Sequence, residues 1–523
     1  MLCLAPPCKT GFEIACDSNN TAGWTQLSSG FFESPHGLAF LHQLLCAVHF
    51  VLGQASDGGI RNICWLLELC QLDRFLATSF GAQHTVAVNI EKAIQQFGQE
   101  ERARLAKEMS HREITLCEDE TFHPQICLVA IEPVSNYLIL EEYAAKRDAS
   151  TWNAAISESL KPLSVTVIQC VSDQATALIS HSETFLGVHH SPDLFHVQQD
   201  ASRATSAPLV RQTESAQKTL DVVNASYQQV AQQLDEFNEN WPNSIKLVEE
   251  EQELQRRLPA LEAARNIARK EFEVVQSRQH QARDARKGIG QDYHPFDMQT
   301  GVARKATEVE ASLTARFDTL DRIVFQANLK PTSIARLEKA KRVLPSMIET
   351  LAFFWRLIAI RAAALNYSPA IVDVWKNQLV ASYYVAAAAK RCSDSHERKR
   401  LGELSSSILA QARSRDGPLS SLSEMEVTQL EVQAKSAAEL FQRSSSCVEG
   451  RNGQLSLRHH GLREITARKL QVLGVLHNFV IKREDGSTAA SRFFGQPHRE
   501  LFPWLVENLP LPSRPRSRRN VSA

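Results

Sequence analysis

One window of the sequence, residues 113–190, is rich in β-formers, and the long segments on either side repeat with helical period. This limits the chain to a small sheet set among helices. Within the window, Ile114–Cys117 is short and apolar. Gln125–Ile131 and Tyr137–Leu140 are β-rich, and Pro133 to Asn136 supplies a turn between them. Thr151–Leu160 reads as a helix with Ser150 or Thr151 as N-cap. Val165–Val171 is a buried strand, Gln174–Phe185 a helix and Gly187–His190 a last short strand. Pro192 begins a further helix running through His196. Three consecutive strands predict an antiparallel meander. Strands separated by helices are expected to join it as parallel additions.

That order is the layout of an RNase H-like fold. The expected architecture is an α/β RNase H-like core interrupted by a large all-α insertion, with an N-terminal helical region. Residues 1–110 form that region: Leu38, Leu41, Leu45, Val48 and Leu52 recur at helical spacing, and Gly58-Gly59 breaks the run. Arg61–Leu72 and a helix capped by Ser79 follow, making a candidate helix-turn-helix. Residues 111–200 are the first part of the core and 201–440 the insertion. In the insertion, Leu220, Val223, Tyr227, Val230, Leu234, Phe237 and Trp241 step by three and four, as in a coiled-coil seam. Trp241 to Ser244 is a turn, Pro259 a break in the next helix, and Gly288–Phe296 a compact loop. Residues 441–509 complete the core, and 510–523 are a basic tail expected to be disordered.

A length of 523 residues exceeds what one hydrophobic core serves. The net charge of -1 gives no overall push toward nucleic acid or membrane, so any such contact must be local. The 11 cysteines are odd in number, without CxxC spacing, and read as reduced thiols. Leu38–Leu52 and Leu351–Leu365 are interrupted by His or Arg and read as buried helices, so no membrane is expected. The start has no basic n-region, and the expected location is cytoplasmic, on DNA.

Two acids lie at strand ends: Asp119 just past the first predicted strand, and Asp173 after Val165–Val171. Strand ends at one sheet edge bring carboxylates together, and clustered carboxylates repel unless a divalent cation neutralises them. Oxygen ligation suits Mg²⁺ or Mn²⁺. Taken by spacing alone the signal is weak, because most Asp residues at strand ends are turn formers.

The stretches Cys-Glu-Asp119-Glu-Thr-Phe, Val-Ser-Asp173-Gln-Ala, Asp193-Leu-Phe-His196 and Ser446-Cys-Val-Glu449-Gly-Arg-Asn452 resemble the conserved blocks of DDE transposases. The resemblance is nearest to insertion-sequence enzymes related to the mutator-like group. It covers about 113–200 and 440–500, with the helical block between. It implies a DNA transposase that cuts element ends and joins them to target DNA, acting as a homo-oligomer. Asp119, Asp173 and Glu449 would be catalytic and hold Mg²⁺ (or Mn²⁺). Asp193, His196, Arg451 and Asn452 would be auxiliary. Glu118 and Glu120 flank Asp119, and the choice among the three rests on the block match. A non-catalytic DNA-binding descendant and an RNase H-like nuclease are the alternatives.

Double-stranded DNA as partner requires a positive surface. Residues 256–287 hold nine basic and four acidic residues. Arg265, Arg269, Lys270, Arg283, Arg286 and Lys287 are the candidates there, although such runs also occur as solvated helix faces. Arg336, Lys339, Lys341 and Arg342 form a second cluster, and Arg398-Lys399-Arg400 a third. The aromatics of Gly288–Phe296 are candidates for packing on an unpaired base, or for a helix–helix turn.

Overall fold

The computed structural model describes residues 30–32, 34–122, 125–240, 248–462 and 464–510. The turn expected at 241–244 and the tail beyond residue 510 lie outside them. The chain is mostly helical with one five-stranded mixed sheet among the described residues. It divides into two compact units, one of residues 1–110 with 455–523 and one of residues 111–454. These boundaries differ from the segments read in the sequence, because the chain from Leu455 onward groups with the N-terminal region.

The first unit opens with α1 (Pro35–Val48), α2 (Ile60–Leu69) and α3 (Phe80–Glu108). Ser34 caps α1 through Gly37 N, and Ser79 caps α3 through Ala82 N. Leu41, Leu45, Ile63, Leu67, Leu72 and Leu76 form its core. The third helix has 29 residues, far longer than the short second helix that a helix-turn-helix reading expects.

The second unit holds the sheet. Its strands are β1 (Arg112–Phe122), β2 (Ile126–Glu132), β3 (Tyr137–Ala144), β4 (Val165–Ser172) and β5 (His189–Pro192), in spatial order β3-β2-β1-β4-β5. β1, β2 and β3 are antiparallel, and β4 and β5 add in parallel, as the element order predicts. Between the strands lie α4 (Ala149–Leu160) and the short α5 (Thr176–Ser180), which continues as a π turn through Phe185. Asp148, and not Ser150 or Thr151, caps α4, accepting from Thr151 N. β5 extends through Pro192, so the next helix starts at Leu194 and not at Pro192.

That helix, α6 (Leu194–Asn240), packs along α7 (Val248–Asp292). The heptad residues of α6 face inward: Leu220 and Val230 are buried, and Val223, Tyr227, Leu234 and Phe237 are half-buried. Pro259 does not break α7, which runs through it. A lost backbone donor at one position is outweighed by packing along a helix of this length.

There follow α8 (Ala306–Gln326), α9 (Pro331–Lys341), α10 (Leu344–Ala363), α11 (Pro369–Val374), α12 (Val380–Arg391), α13 (Ser395–Ala412) and α14 (Glu424–Ala438). Their apolar faces converge on Phe296, Phe317, Phe354, Trp375 and Phe441. The pieces 331–363 and 35–55 are long and apolar enough, by length and composition, to cross a membrane. Each also supplies core side chains, such as Leu351 and Phe354 in one and Leu41 and Leu45 in the other.

Next is α15 (Ser446–Leu462), which brings the chain back to the sheet. The first unit is completed by α16 (Ala467–Phe479), α17 (Ala489–Phe494) and α18 (Leu501–Asn508).

Candidate active site

Asp119 lies within β1, opposite Val129 of β2, and not beyond the strand end. Successive side chains on a strand alternate faces, so Glu118 and Glu120 point away from Asp119. Both are engaged there. Glu118 is fully buried, with its Oε2 3.2 Å from His181 Nδ1. Glu120 Oε1 accepts from the Trp152 indole at 3.3 Å. The pleat thus separates Asp119 from its acidic neighbours. Asp173 follows the last residue of β4, and its Oδ1 accepts from Ala175 N at 2.8 Å, an Asx turn that aims the chain into α5.

Glu449 comes from the first turn of α15. Two contacts anchor the start of that helix. Ser445 donates through its backbone N to Asp193 Oδ1 at 3.1 Å and through its hydroxyl to Asp193 Oδ2 at 2.7 Å. Asp193 also receives Phe195 N at 2.9 Å and so caps α6. One buried carboxylate therefore ties the starts of α6 and α15 together. Burial alone would raise the proton affinity of Asp193, but hydrogen bonds from His196 and Ser445 outweigh it and hold the carboxyl below its ordinary range.

His196 Nδ1 lies 2.7 Å from Asp193 Oδ2, and its Nε2 lies 3.5 Å from Glu449 Oε1. The bond to Asp193 raises its pKa to about 9 despite burial, and the charges of Asp119 and Glu449 add to the effect. An imidazolium thus sits between carboxylates. Donor atoms of Asp193, His196 and Glu449 all fall within 4.8 Å of one another. Asp193 spends both oxygens on protein donors, so this set is better suited to hold a proton than a metal.

Asp119 and Glu449 each lie in the field of neighbouring carboxylates. Asp119 is raised to about 7, first by burial and then by Glu449, with His196 offsetting part and Asp173 adding to it. Glu449 is raised by burial, with His196 opposing and Asp193 and Asp173 adding. Asn452, one turn beyond Glu449, donates from Nδ2 to Asp119 Oδ2 at 2.8 Å. Its Oδ1 is buried and has no hydrogen-bond partner among the described residues. A buried carboxyl with other acids nearby and an amide oxygen beside it suits a hard divalent cation with bound water.

Arg451 is not available to phosphate. It forms a two-pronged ion pair with Glu141 of β3, at 2.7 and 2.6 Å, and both side chains are almost fully buried. Nothing in the local sequence marks Glu141 or Ser445 as part of this region, because their partners are distant in the chain.

The basic candidates on α7 divide. Arg269, Lys270, Arg283 and Lys287 are exposed. Arg265 stacks 4.0 Å above the Tyr227 ring, and Arg286 donates to Thr205 Oγ1 at 2.6 Å, so both hold α7 to α6. In the other clusters, Lys339 pairs with Asp200, Lys341 with Asp318 and Asp321, and Arg400 with Glu397. Gly288 to Asp292 remain helical, and Tyr293, His294 and Phe296 are buried. Tyr293 donates to Met347 O, and His294 bonds Tyr384, so these rings are core and not a platform for a base.

Residues 375–521 are similar to a family of unknown function, DUF6399. That stretch holds Glu449 and Asn452 but neither Asp119 nor Asp173. No curated protein and no solved structure matches the chain.

Proposed function

We propose that the protein is a metal-dependent DNA transposase with an RNase H-like core. One observation carries this reading. Asn452, one turn beyond Glu449 on α15, donates to Asp119 Oδ2 of β1 at 2.8 Å, and Asp173 follows the end of β4, the parallel neighbour of β1, so three distant segments carry the acids to one side of the sheet's centre. The ordered sequence blocks support the same residues.

Asp119, Asp173 and Glu449 would hold Mg²⁺ or Mn²⁺. When bound, the ions would activate water or a 3′-hydroxyl and stabilise the leaving oxygen. The chain's own groups do the rest. Asn452 fixes the Asp119 carboxylate by donating to Oδ2. Asp193 orients the His196 ring, whose Nε2–H faces Glu449 Oε1 and holds a proton there at neutral pH. Arg269, Lys270, Arg283 and Lys287 offer exposed cations to the DNA backbone. A hydrolytic nuclease would use the same cluster, and strand transfer separates the two.

The test uses purified protein, Mg²⁺ and DNA carrying the sequences that flank its gene. Wild type is expected to nick that DNA and join 3′-ends to a second duplex. D119N, D173A and E449Q are each expected to lose ~100-fold or more of that activity while still binding DNA. Full activity in D173A would overturn the assignment. Nicking without joined products would favour the nuclease.

A further inference from the structure

We propose that the buried Glu141–Arg451 pair is a positioning device for the acidic cluster, locking α15 in register so that Glu449 and Asn452 face Asp119. This rests on the metal-site reading above. The sheet register carries the argument. Asp119 pairs with Val129, and Val129 pairs with Glu141. Directly opposed residues share a face, so Asp119, Val129 and Glu141 form one row across β1, β2 and β3, spanning roughly 10 Å.

Helix α15 is bonded to both ends of that row. Asn452 Nδ2 reaches Asp119 Oδ2 at 2.8 Å, and the adjacent Arg451 grips Glu141 with Nε and Nη2 at 2.7 and 2.6 Å. Val129, between them, is fully buried. Two anchors on one row fix both the rotation and the translation of the helix. Glu449 and Asn452 are three residues apart and share a helix face, whereas Arg451 points elsewhere around the helix. A bidentate guanidinium–carboxylate fork adds geometric specificity that a single donor lacks. A slip of α15 would carry Glu449 away from Asp119 without unfolding the sheet.

The pair does not touch the reacting groups, so its effect should be read in metal affinity and not only in stability. E141M/R451M replaces the buried ion pair by apolar side chains, a change that commonly leaves stability unaltered or improved. R451K keeps the charge and removes the fork. Both are compared with wild type by thermal midpoint and by Mn²⁺ affinity from electron paramagnetic resonance. The expected result is a near-unchanged midpoint with Mn²⁺ bound ~10–100-fold more weakly in the double variant, and less markedly so in R451K. If E141M/R451M does not fold, R451K decides. Wild-type Mn²⁺ affinity in a folded variant overturns the positioning role alone. Wild-type protein that binds no Mn²⁺ overturns the metal-site reading, and the positioning role falls with it.

Discussion

Asp119 and His196 both hold a proton more tightly in the folded protein than in an unfolded chain, and each therefore links stability to pH. Unfolded, an aspartate titrates near 3.9; here Asp119 titrates at about 7. Between those values the native state keeps a proton that the unfolded chain has released, so rising pH favours unfolding. The contribution of Asp119 is complete below about pH 4 and gone above about 7. His196, raised to about 9, behaves in the same sense one window higher. Its contribution is complete below about pH 6.5 and lost as pH passes about 9. In metal-free protein the thermal midpoint should fall across both windows. D119N should flatten the lower one, and Mg²⁺ should raise the midpoint more at pH 8 than at pH 5. Equal Mg²⁺ effects at the two pH values would show that ionised Asp119 does not bind the cation.

At the scale of elements, patterning revealed the strands better than their lengths. The polar run Glu118-Asp119-Glu120 reads as the end of a strand, yet β1 continues to Phe122. It does so because His181 and Trp152 engage the two glutamates on one face while Asn452 meets Asp119 on the other. None of these partners is near in sequence. The α6–α7 pair shows the same limit. Its heptad spacing announced a packed seam, but which arginines turn inward depended on Tyr227 and Thr205 across that seam. The division predicts two phenotypes. K270A or R283A should lower DNA affinity and reduce the salt slope by about 1 per residue, with the thermal midpoint unchanged. R286A should instead cost about 1–3 kcal/mol, because it leaves Thr205 without its charged donor. A wild-type salt slope in both K270A and R283A would remove α7 from the DNA-facing surface.

The whole molecule is two units built from three stretches of chain, and a local probe can read each unit separately. Glu101 is fully buried in the first unit. Burial disfavours its charge, but hydrogen bonds from Arg104 and from the backbone and guanidinium of Arg499 outweigh that and lower its pKa to about 2. Its stabilisation is present above about pH 4.5 and lost as pH falls toward 2. E101Q should cost about 2 kcal/mol at neutral pH. Hydrogen exchange should quicken in α3 and around Arg499 while β1, β2 and β4 keep wild-type protection. Uniform acceleration across the sheet would mean the units unfold as one. Sequence order foretold the meander and the parallel additions. It did not foretell that the segment after Leu455 groups with the N-terminal helices, since that depends on packing between segments hundreds of residues apart.

The distance along the chain between His196 and Glu449 also sets a schedule. A ribosome adds roughly 5–20 residues per second, so the roughly 250 residues between them take ~10–50 s to synthesise. Through that interval β1–β5 can emerge with Asp119 and Asp173 in place, while the Ser445 hydroxyl that caps Asp193 and the Asn452 amide that steadies Asp119 do not yet exist. A nascent chain is therefore incomplete at this centre until Ser445, Glu449 and Asn452 have been made. Products truncated before α15 would carry the sheet and the helical block but not the third acid.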